Sequence, residues 1–186
     1  MKYMGSKIQG WMHDCELQFL YNEILKLQKE SIIVEIGCWR GKSSHAIASA
    51  IKDSKINHKF YCVDTFKGTS TSESQYDQAK TEDILEIFKK NMIQYNVNII
   101  VGDSAKSAEK FEVSSIDFLF LDANHDYDFV YNDVISWFSK VKTGGIICGH
   151  DYRDGYKGVK KCVDELFCNY ELFPTSIWKV ITSHPL

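Results

Sequence analysis

The stretch at residues 31–44, SIIVEIGCWRGKSS, constrains the fold more than any other part of the chain. Its apolar, β-branched run at 32–36 predicts a strand covered on both faces, although Glu35 places a charge inside that run. Gly37 and Gly41 bracket a turn, after which a polar triplet opens a helix. Free N–H groups and the positive helix end would then face one point, which suits an anionic small molecule. An ordinary strand-to-helix loop of an α/β domain is the alternative.

Composition narrows the class of protein. The 186 residues are 44% hydrophobic and 25% charged, which suits one globular domain, and the net charge of −3 gives no overall case for nucleic acid or anionic membrane. No apolar run reaches the roughly 18 residues of a membrane span, and the N-terminus lacks a signal-peptide core. None of the six cysteines forms a C-x-x-C pair, so we expect reduced thiols. These features predict a cytosolic protein and leave its oligomeric state open, a homo-oligomer included.

Predicted strands and helices alternate along the chain. An N-terminal helical extension at 1–28 precedes strands at 32–36, 58–64, 98–101, 116–122 and 146–149, with short strands near 172 and at 177–181. Between them, helices are predicted after Gly41, from Thr81 to about 95, at 126–141 with Phe129 among its inward residues, and at 159–167. Gly144 and Gly145 punctuate the chain before the fifth strand. The alternation predicts one domain at 1–186 of the α/β class, with a doubly wound, mostly parallel, Rossmann-like sheet of about seven strands and helices on both faces.

The segment at 66–80, FKGTSTSESQYDQAK, is conspicuously polar, with glycine, serine and threonine clustered in it. Its position after the second strand suits a mobile lid over a ligand. A solvated surface loop that only connects two elements is the alternative.

Polar residues follow each central strand. They are the turn from Gly37 to Gly41, Asp64, Asp103, Asp122, and the pair His150 and Asp151. In doubly wound sheets, ligands bind beyond the carboxyl ends of the strands, where a carboxylate such as Asp64 can accept both hydrogen bonds of a ribose diol. The pattern favours a nucleoside ligand, whereas each aspartate taken alone is also typical of a turn or helix cap.

Two nucleotide-binding motifs match the glycine turn incompletely. The dinucleotide fingerprint G-x-G-x-x-G requires glycine where Trp39 and Lys42 stand. The sequence G-x-x-x-G-K-S at 37–43 is closer to a P-loop, and FLFLD at 118–122 imitates the acidic strand that helps to hold magnesium. A P-loop needs four residues between its glycines, however, and this turn has three.

A strand, E-x-G, a turn, a second glycine, a helix and an aspartate ending the next strand together resemble the class I S-adenosylmethionine-dependent methyltransferases. The resemblance covers most of the chain: VEIGCWRGKSS resembles their first motif, CVDTF their second, and VGDS the turn on the adenine side. FLFLDANHDY and GGIICGHDY resemble strand ends of the small-molecule O-methyltransferase group that includes macrolide-sugar methyltransferases and cephalosporin-hydroxylase-like proteins. Trp39 departs from the family, since glycine is frequent at its position, although this branch often tolerates a large residue there.

The resemblance implies a site for S-adenosylmethionine. The glycine turn would hold the methionine part, and Glu35 would accept from the turn's N–H groups or from the cofactor's ammonium group. Asp64 would hold the ribose, with Asp103 and Ser104 on the adenine side. The implied cofactor residues are Glu35, Gly37, Cys38, Trp39, Gly41, Ser43, Asp64, Thr65, Asp103, Ser104 and Asp122.

The resemblance also implies chemistry at the fourth and fifth strand ends. A metal in this group commonly sits at positions that here are Asp122, His150 and Asp151, and Mn²⁺ tolerates the nitrogen ligand better than Mg²⁺. His150 stands where many relatives have a carboxylate, and a helix-cap or loop pair is the alternative. His125, three residues after Asp122, could deprotonate a hydroxyl near neutral pH, unless it is simply structural. The candidate catalytic residues are therefore His125, Asp122 and Asp151.

These features predict a methyltransferase that acts on oxygen of a small-molecule acceptor, such as a sugar or a glycosylated metabolite. A P-loop-like nucleotide hydrolase or kinase, and a catalytically idle cofactor-binding protein that kept the fold, are the alternatives.

Overall fold

A computed structural model describes residues 2–69, 72–173 and 175–183. Seven strands form one sheet in the order β3-β2-β1-β4-β5-β7-β6, in which β1 to β5 run parallel and β7 runs antiparallel to both β5 and β6. The strands are β1 Ile32–Ile36, β2 Lys59–Asp64, β3 Asn98–Val101, β4 Ile116–Leu121, β5 Val141–Gly149, β6 Glu171–Leu172 and β7 Trp178–Ile181. The predicted α/β, mostly parallel, Rossmann-like sheet is confirmed.

Helices cover both faces of this sheet. They are α1 Asp14–Leu25, α2 Lys42–Ser54, α3 Glu73–Thr81, α4 Ile84–Asn91, α5 Ser104–Ser107, α6 Tyr127–Phe138 and α7 Lys157–Leu166, with a 3₁₀ turn at Ala108–Lys110. Apolar residues of α1, α2 and α4 pack with Ile33 on one face, while those of α6 and α7 pack with Val34 on the other. Because neighbouring residues of β1 point to opposite faces, both of its faces are buried, as its apolar sequence predicts.

The sheet register places the functional edge of the molecule. Ile36 at the end of β1 pairs with Val63 in β2 and with Leu121 in β4, and Leu121 pairs with Gly149 in β5. The residues that follow these strands therefore lie side by side at one edge. None of the helices within the described ranges combines the length and apolarity that crossing a membrane requires.

The polar segment at 66–80 contains a helix that the sequence analysis missed. Helix α3 begins at Glu73, after Ser72, whose Oγ accepts a hydrogen bond from the backbone N–H of Gln75 at 3.3 Å. The sequence pattern does not predict this helix, because an apolar stripe is the main signal of a surface helix and α3 has few apolar residues. Positions 70 and 71 of the predicted loop lie outside the described residues.

Three further predictions were wrong in detail. Thr81 ends α3 and does not cap the following helix, since the side chain of Asp83 accepts from Glu86 N–H at 3.0 Å and caps α4. Phe129 is 53% exposed, because the first turn of α6 lies at the rim of a cleft. The pair at 144–145 lies inside β5, where a register shift against β4 accommodates it.

Candidate active site

The turn after β1 needs glycine for steric reasons. Gly37 has φ +84°, and a Cβ there would lie 2.1 Å from the carbonyl oxygen of Asp122 at the end of β4. Gly41 has φ +91°, and a Cβ there would lie 3.1 Å from the ring of Phe88 in α4. Only glycine adopts such angles without strain, so this sequence closes the turn tightly against β4 and lets α2 begin immediately after it.

Asp64 holds the turn in shape. Its Oδ2 accepts hydrogen bonds from the backbone N–H groups of Cys38 and Trp39, each at 2.7 Å, and its Oδ1 accepts from Phe66 N–H at 2.7 Å. Burial raises the pKa of this carboxyl group, and the backbone donors oppose that rise. Asp64, which is predicted to bind the ribose, therefore also fixes the backbone of the turn.

The larger part of the cleft lies beyond the ends of β1 to β4 and has a volume of about 280 Å³. It brings together seven of the predicted cofactor residues: Gly37, Trp39, Asp64, Thr65, Asp103, Ser104 and Asp122. Asp133 from α6 also lines it, and burial raises the pKa of that carboxyl group to about 6, with Ser104 opposing the rise and the charge of Asp103 adding to it. No strand-end pattern marked Asp133, because it lies in the middle of a helix.

The smaller part of the cleft, about 130 Å³, adjoins the first and shares Gly37, Trp39 and Asp122 with it. Cys38 and Ser43 line this part, as do the predicted chemical residues His125, His150 and Asp151. The N-terminal segment closes one side, contributing residues 9–12. The sequence analysis assigned that segment no part in the site.

Glu35 and Gly41 are the two predicted cofactor residues that line neither part. Glu35 is fully buried beneath the turn, where its Oε2 accepts from the hydroxyl of Ser44 and from the thiol of Cys62 at 3.6 Å, and the hydroxyl of Ser43 is a further partner of the carboxyl group. Burial raises the pKa of Glu35 to about 7. The carboxyl group of Glu35 binds the first turn of α2. Glu35 therefore lines neither part of the cleft, whereas the prediction placed it among the cofactor residues.

His125 and Asp151 form a pair at the wall of the smaller part. Nε2 of His125 lies 2.9 Å from Oδ2 of Asp151, and the ring of His125 packs against Tyr156 with centroids 4.3 Å apart. Nη2 of Arg153 lies 3.1 Å from the other carboxylate oxygen, Oδ1. Burial alone would raise the pKa of Asp151, but its bonds with His125 and then His150 lower it well below the usual range. Asp151 is therefore a carboxylate that orients an imidazole.

His150 lies among three carboxylates. Its Nε2 is 3.1 Å from Oε2 of Glu16, and its Nδ1 is 3.1 Å from Oδ2 of Asp151 and 3.5 Å from Oδ1 of Asp122. Burial opposes the charged form, but the charge of Asp122 and the bonds to all three carboxylates raise the pKa of His150 to about 12. The ring is therefore a buried cation.

Glu16 is a site residue that the sequence analysis missed. It comes from α1, is buried, and accepts from His13 N–H at 2.7 Å, from Ser176 Oγ at 3.0 Å and from the hydroxyl of Thr175. Although burial opposes ionisation, these bonds and His150 lower the pKa of Glu16 to about 2. The sequence did offer one signal for Glu16, namely a charged residue next to the apolar positions of an amphipathic helix. Arg153 and Tyr156 were also missed.

The three residues expected to hold a divalent metal, Asp122, His150 and Asp151, lie together at the ends of β4 and β5. Asp122, His125 and Asp151 bring one ligand atom each within 4.8 Å of one another. In the same cluster, Oδ2 of Asp151 lies 2.9 Å from Nε2 of His125 and 3.1 Å from Nδ1 of His150, and Oδ1 lies 3.1 Å from Nη2 of Arg153.

A second cluster, Glu35, Cys38 and Cys62, also brings its ligand atoms within 4.8 Å. All three residues are buried, and burial raises the pKa of the Cys62 thiol to about 11 and that of Cys38 well above its usual value. Both thiols belong to the hydrophobic core on this face of the sheet, so we assign them to packing beneath the turn.

Comparisons with known proteins agree with this geometry. A family model described as a methyltransferase domain matches residues 34–152, while no curated protein matches the sequence. The O-methyltransferase NovP has a similar structure, with 15% identity, a TM-score of 0.63, and coverage of 91% of this chain and 78% of that one.

Two other solved structures have the same fold. An S-adenosylhomocysteine-bound methyltransferase of Podospora anserina has 17% identity and a TM-score of 0.67, with coverage of 94% of this chain and 80% of that one. A TDP-rhamnose 3′-O-methyltransferase of calicheamicin biosynthesis has 12% identity and a TM-score of 0.60, with coverage of 90% and 77%. Because the family match spans well over half of the chain, including the glycine turn and the ends of β4 and β5, the chain belongs to the methyltransferase domain family and is an S-adenosylmethionine-dependent methyltransferase.

Proposed function

We propose that this protein transfers the methyl group of S-adenosylmethionine to a hydroxyl oxygen of a small polar acceptor, with a sugar or glycosylated metabolite as the leading class. The observation that carries the proposal is the position of the His125–Asp151 pair. It lies in the smaller part of the cleft, which meets the larger part at Trp39 and Asp122.

The cofactor is assigned to the larger part of the cleft. Asp64 and Thr65 stand where a ribose would lie, and Asp103, Ser104 and Asp133 surround the far end, on the adenine side. The methionine part would lie along Gly37 toward the N-terminus of α2, where backbone N–H groups favour a carboxylate. The S-adenosylhomocysteine-bound methyltransferase with the same fold supports this choice of cofactor.

The acceptor is assigned to the smaller part. Its volume of about 130 Å³ lies below the roughly 300–1,000 Å³ of pockets that enclose drug-sized ligands, so it suits one ring of an acceptor. Trp11 and Trp39 lie at its wall with ring centroids 6.2 Å apart, and Lys42 and Arg153 supply polar contacts. The TDP-rhamnose methyltransferase with the same fold supports a sugar acceptor.

The transfer step needs alignment and a place for one proton. When bound, the cofactor supplies a methyl group on a positively charged sulfur. The acceptor oxygen gives its proton to the imidazole of His125 and bonds to the methyl carbon as the carbon–sulfur bond breaks, with that bond's electron pair remaining on sulfur. With Nε2–H directed at Asp151, the other ring nitrogen is the basic one, and Asp151 stabilises the imidazolium that forms. No metal is assigned to this step.

The P-loop-like alternative has less support. Lys42, the lysine of the G-K-S sequence, donates from Nζ to the carbonyl oxygen of Gly10 at 2.9 Å and so anchors the N-terminal segment. The family match also places the turn in a methyltransferase domain.

Replacing the base tests the proposal. His125→Ala is expected to slow methyl transfer about a hundredfold, the usual scale for a lost general base, and to leave cofactor affinity unchanged. The assay follows labelled methyl groups from S-adenosylmethionine into a panel of nucleotide sugars, glycosides and catechols. His58→Ala is the control, because His58 is buried next to the other end of β2, outside the cleft. Unchanged transfer in His125→Ala would leave Asp151 as the only base, and transfer to no hydroxyl compound would contradict the proposed function.

A further inference from the structure

We propose that the indole of Trp39 binds the positively charged sulfur of S-adenosylmethionine, so that the protein distinguishes this compound from its uncharged product, S-adenosylhomocysteine. The inference rests on the placement of the cofactor under the proposed function and does not depend on the acceptor. Three features of Trp39 lead to it: its backbone conformation, the place of its ring in the cleft and the charges around that ring.

Trp39 has a backbone conformation that its side chain disfavours. Its φ is +48°, in the left-handed region, where glycine is the usual residue and a bulky side chain is an outlier. The backbone N–H of Trp39 donates to Oδ2 of Asp64 at 2.7 Å, and this bond holds the strained turn in place. Since glycine would relax the turn, the presence of tryptophan points to a role for its ring in function and not in the fold.

The ring of Trp39 lies where the two parts of the cleft meet. Within the described part of the chain, the residues that line both parts are Gly37, Trp39, Gln75, Asp122 and Ala123, and Trp39 is the aromatic one among them. With the adenosyl group in the larger part and the acceptor in the smaller part, the methyl group has to be transferred at this junction. The sulfur that carries it is therefore placed next to the π face of Trp39.

The charge of the sulfur is what the ring can recognise. A cation is attracted to the electron-rich face of an aromatic ring, and tryptophan is the best of the aromatic side chains for this contact. The thioether of S-adenosylhomocysteine carries no charge and gains nothing from it. Contact with Trp39 would thus favour the reactant over the product, which helps the product to leave after transfer.

Two charged side chains lie close enough to affect this contact. The guanidinium carbon of Arg40 lies 5.7 Å from the centroid of the Trp39 ring, and a second cation at one ring weakens the attraction. Arg40 is paired with Oε1 of Glu82 at 2.7 Å, however, which offsets its charge. Asp122 is the rival partner for the sulfur, because its carboxylate also lines both parts of the cleft.

Calorimetry on the purified protein separates the ring from the carboxylate. The dissociation constants of S-adenosylmethionine and S-adenosylhomocysteine are measured for each variant, and the ratio of the first to the second is compared, since general damage to the cleft weakens both and cancels. Trp39→Leu keeps an apolar side chain and removes the π face, so the ratio should rise about 2- to 30-fold. Trp39→Phe keeps an aromatic face and should raise the ratio less.

Phe129→Leu is the matched control. Phe129 is an exposed aromatic residue that lines the larger part of the cleft away from the junction, so its loss should leave the ratio unchanged even if both affinities fall. Asp122→Asn tests the rival partner. A ratio that is unchanged in Trp39→Leu, that rises equally in Trp39→Leu and Trp39→Phe, or that rises only in Asp122→Asn would overturn the inference.

A second measurement covers a folding failure of Trp39→Leu. Wild-type protein produced with fluorinated tryptophan keeps the shape of each indole and has less electron density on its face, so the ratio should rise by a smaller factor. The same labelling of Trp39→Phe, which then reaches only Trp11, Trp137 and Trp178, should leave the ratio unchanged. No response in the labelled wild-type protein, or an equal response in both proteins, would overturn the inference. The proposed function fails on a different result, namely that no hydroxyl compound is methylated.

Discussion

Glu16 and Glu35 are both buried glutamates near the same edge of the sheet, yet their surroundings favour opposite states of ionisation. Glu16 meets the imidazolium of His150 and accepts three further hydrogen bonds, and its pKa is lowered to about 2. Glu35 meets the hydroxyls of Ser43 and Ser44 and the thiol of Cys62, with no cation among these partners, and burial raises its pKa to about 7.

The contrast shows that the partner, and not burial, decides the charge of a carboxyl group at this edge. Burial raises the pKa of both glutamates, and only Glu16 has a cation to reverse the effect. His150, the partner of Glu16, lines the smaller part of the cleft, where proton transfer would occur under the proposed function. Glu35 lies beneath the glycine turn, where a group that is half protonated near neutral pH serves packing.

Removing the cation should have the largest effect. His150→Asn leaves Glu16, Asp122 and Asp151 without their shared partner, and we expect the free energy of unfolding to fall by about 3–5 kcal/mol, the scale for breaking a buried ion pair. Urea unfolding measures the change. Adding Glu16→Gln should recover part of the loss, because one unpaired charge is removed.

The pH dependence of this loss in the free energy of unfolding follows from the shifted pKa values of Glu16 and His150. The lowered pKa of Glu16 contributes stability above about pH 4.5 that is lost as the pH falls toward 2. The raised pKa of His150 contributes stability that is full below about pH 6.5 and is lost as the pH rises toward 12. The cost of His150→Asn should therefore be greatest between pH 4.5 and 6.5. A loss below 1 kcal/mol throughout that range would mean that Glu16 gains no stability from His150, and Glu16 and Glu35 would then not differ as described.

The contribution of Glu35 to stability should change with pH in the direction opposite to that of Glu16. The folded protein holds a proton on Glu35 up to about pH 7, whereas the unfolded chain releases it near 4.5, so stability falls as the pH rises between these values and stays low above them. Glu35→Gln removes this cost and should raise the free energy of unfolding by up to about 3 kcal/mol at pH 8, with little change at pH 4.5. Parallel urea titrations at the two pH values measure it. A variant equally destabilised at both would show that Glu35 is ionised and paired.

Asp64 is the intermediate case, since backbone N–H groups and not a cation satisfy it. Asp64→Ala removes the anchor of the turn and the expected ribose partner, so affinity for S-adenosylhomocysteine should fall by about 1–3 kcal/mol, or roughly 5- to 150-fold. Calorimetry measures the change, with Asp53→Ala as a control on the far end of α2. Unchanged affinity would restrict Asp64 to its structural bonds with Cys38 and Trp39.

Arg40 should have the smallest effect. Its guanidinium reaches from the glycine turn to Gln78 Oε1 at 2.8 Å and Glu82 Oε1 at 2.7 Å, which ties α3 to the cofactor site. Because Glu82 is exposed, Arg40→Ala should lower the free energy of unfolding by less than about 1 kcal/mol. Hydrogen exchange in α3 should nevertheless become faster in the variant, and should slow in the wild-type protein when cofactor binds. Slow exchange in both states would make 66–80 a fixed connector and not a lid.

The sequence predicted the parts of this molecule that depend on local pattern. The strand at 32–36, its glycine turn and the carboxylates at the strand ends follow from hydrophobic periodicity and turn chemistry, and the register then brings Gly37, Asp64 and Asp122 together. Glu16 and Arg153 could not be predicted in this way, because their roles depend on contacts between distant elements. Phe129 was misplaced for a related reason: periodicity identifies an apolar face but not the cleft that interrupts it.

Calorimetry on EDTA-treated wild-type protein tests the central claim most directly, with S-adenosylmethionine, S-adenosylhomocysteine and ATP as separate titrants. A site for S-adenosylmethionine beyond the ends of β1 to β4 predicts saturable one-to-one binding of the first two compounds and no binding of ATP. Tight ATP binding without binding of S-adenosylmethionine or S-adenosylhomocysteine would contradict it.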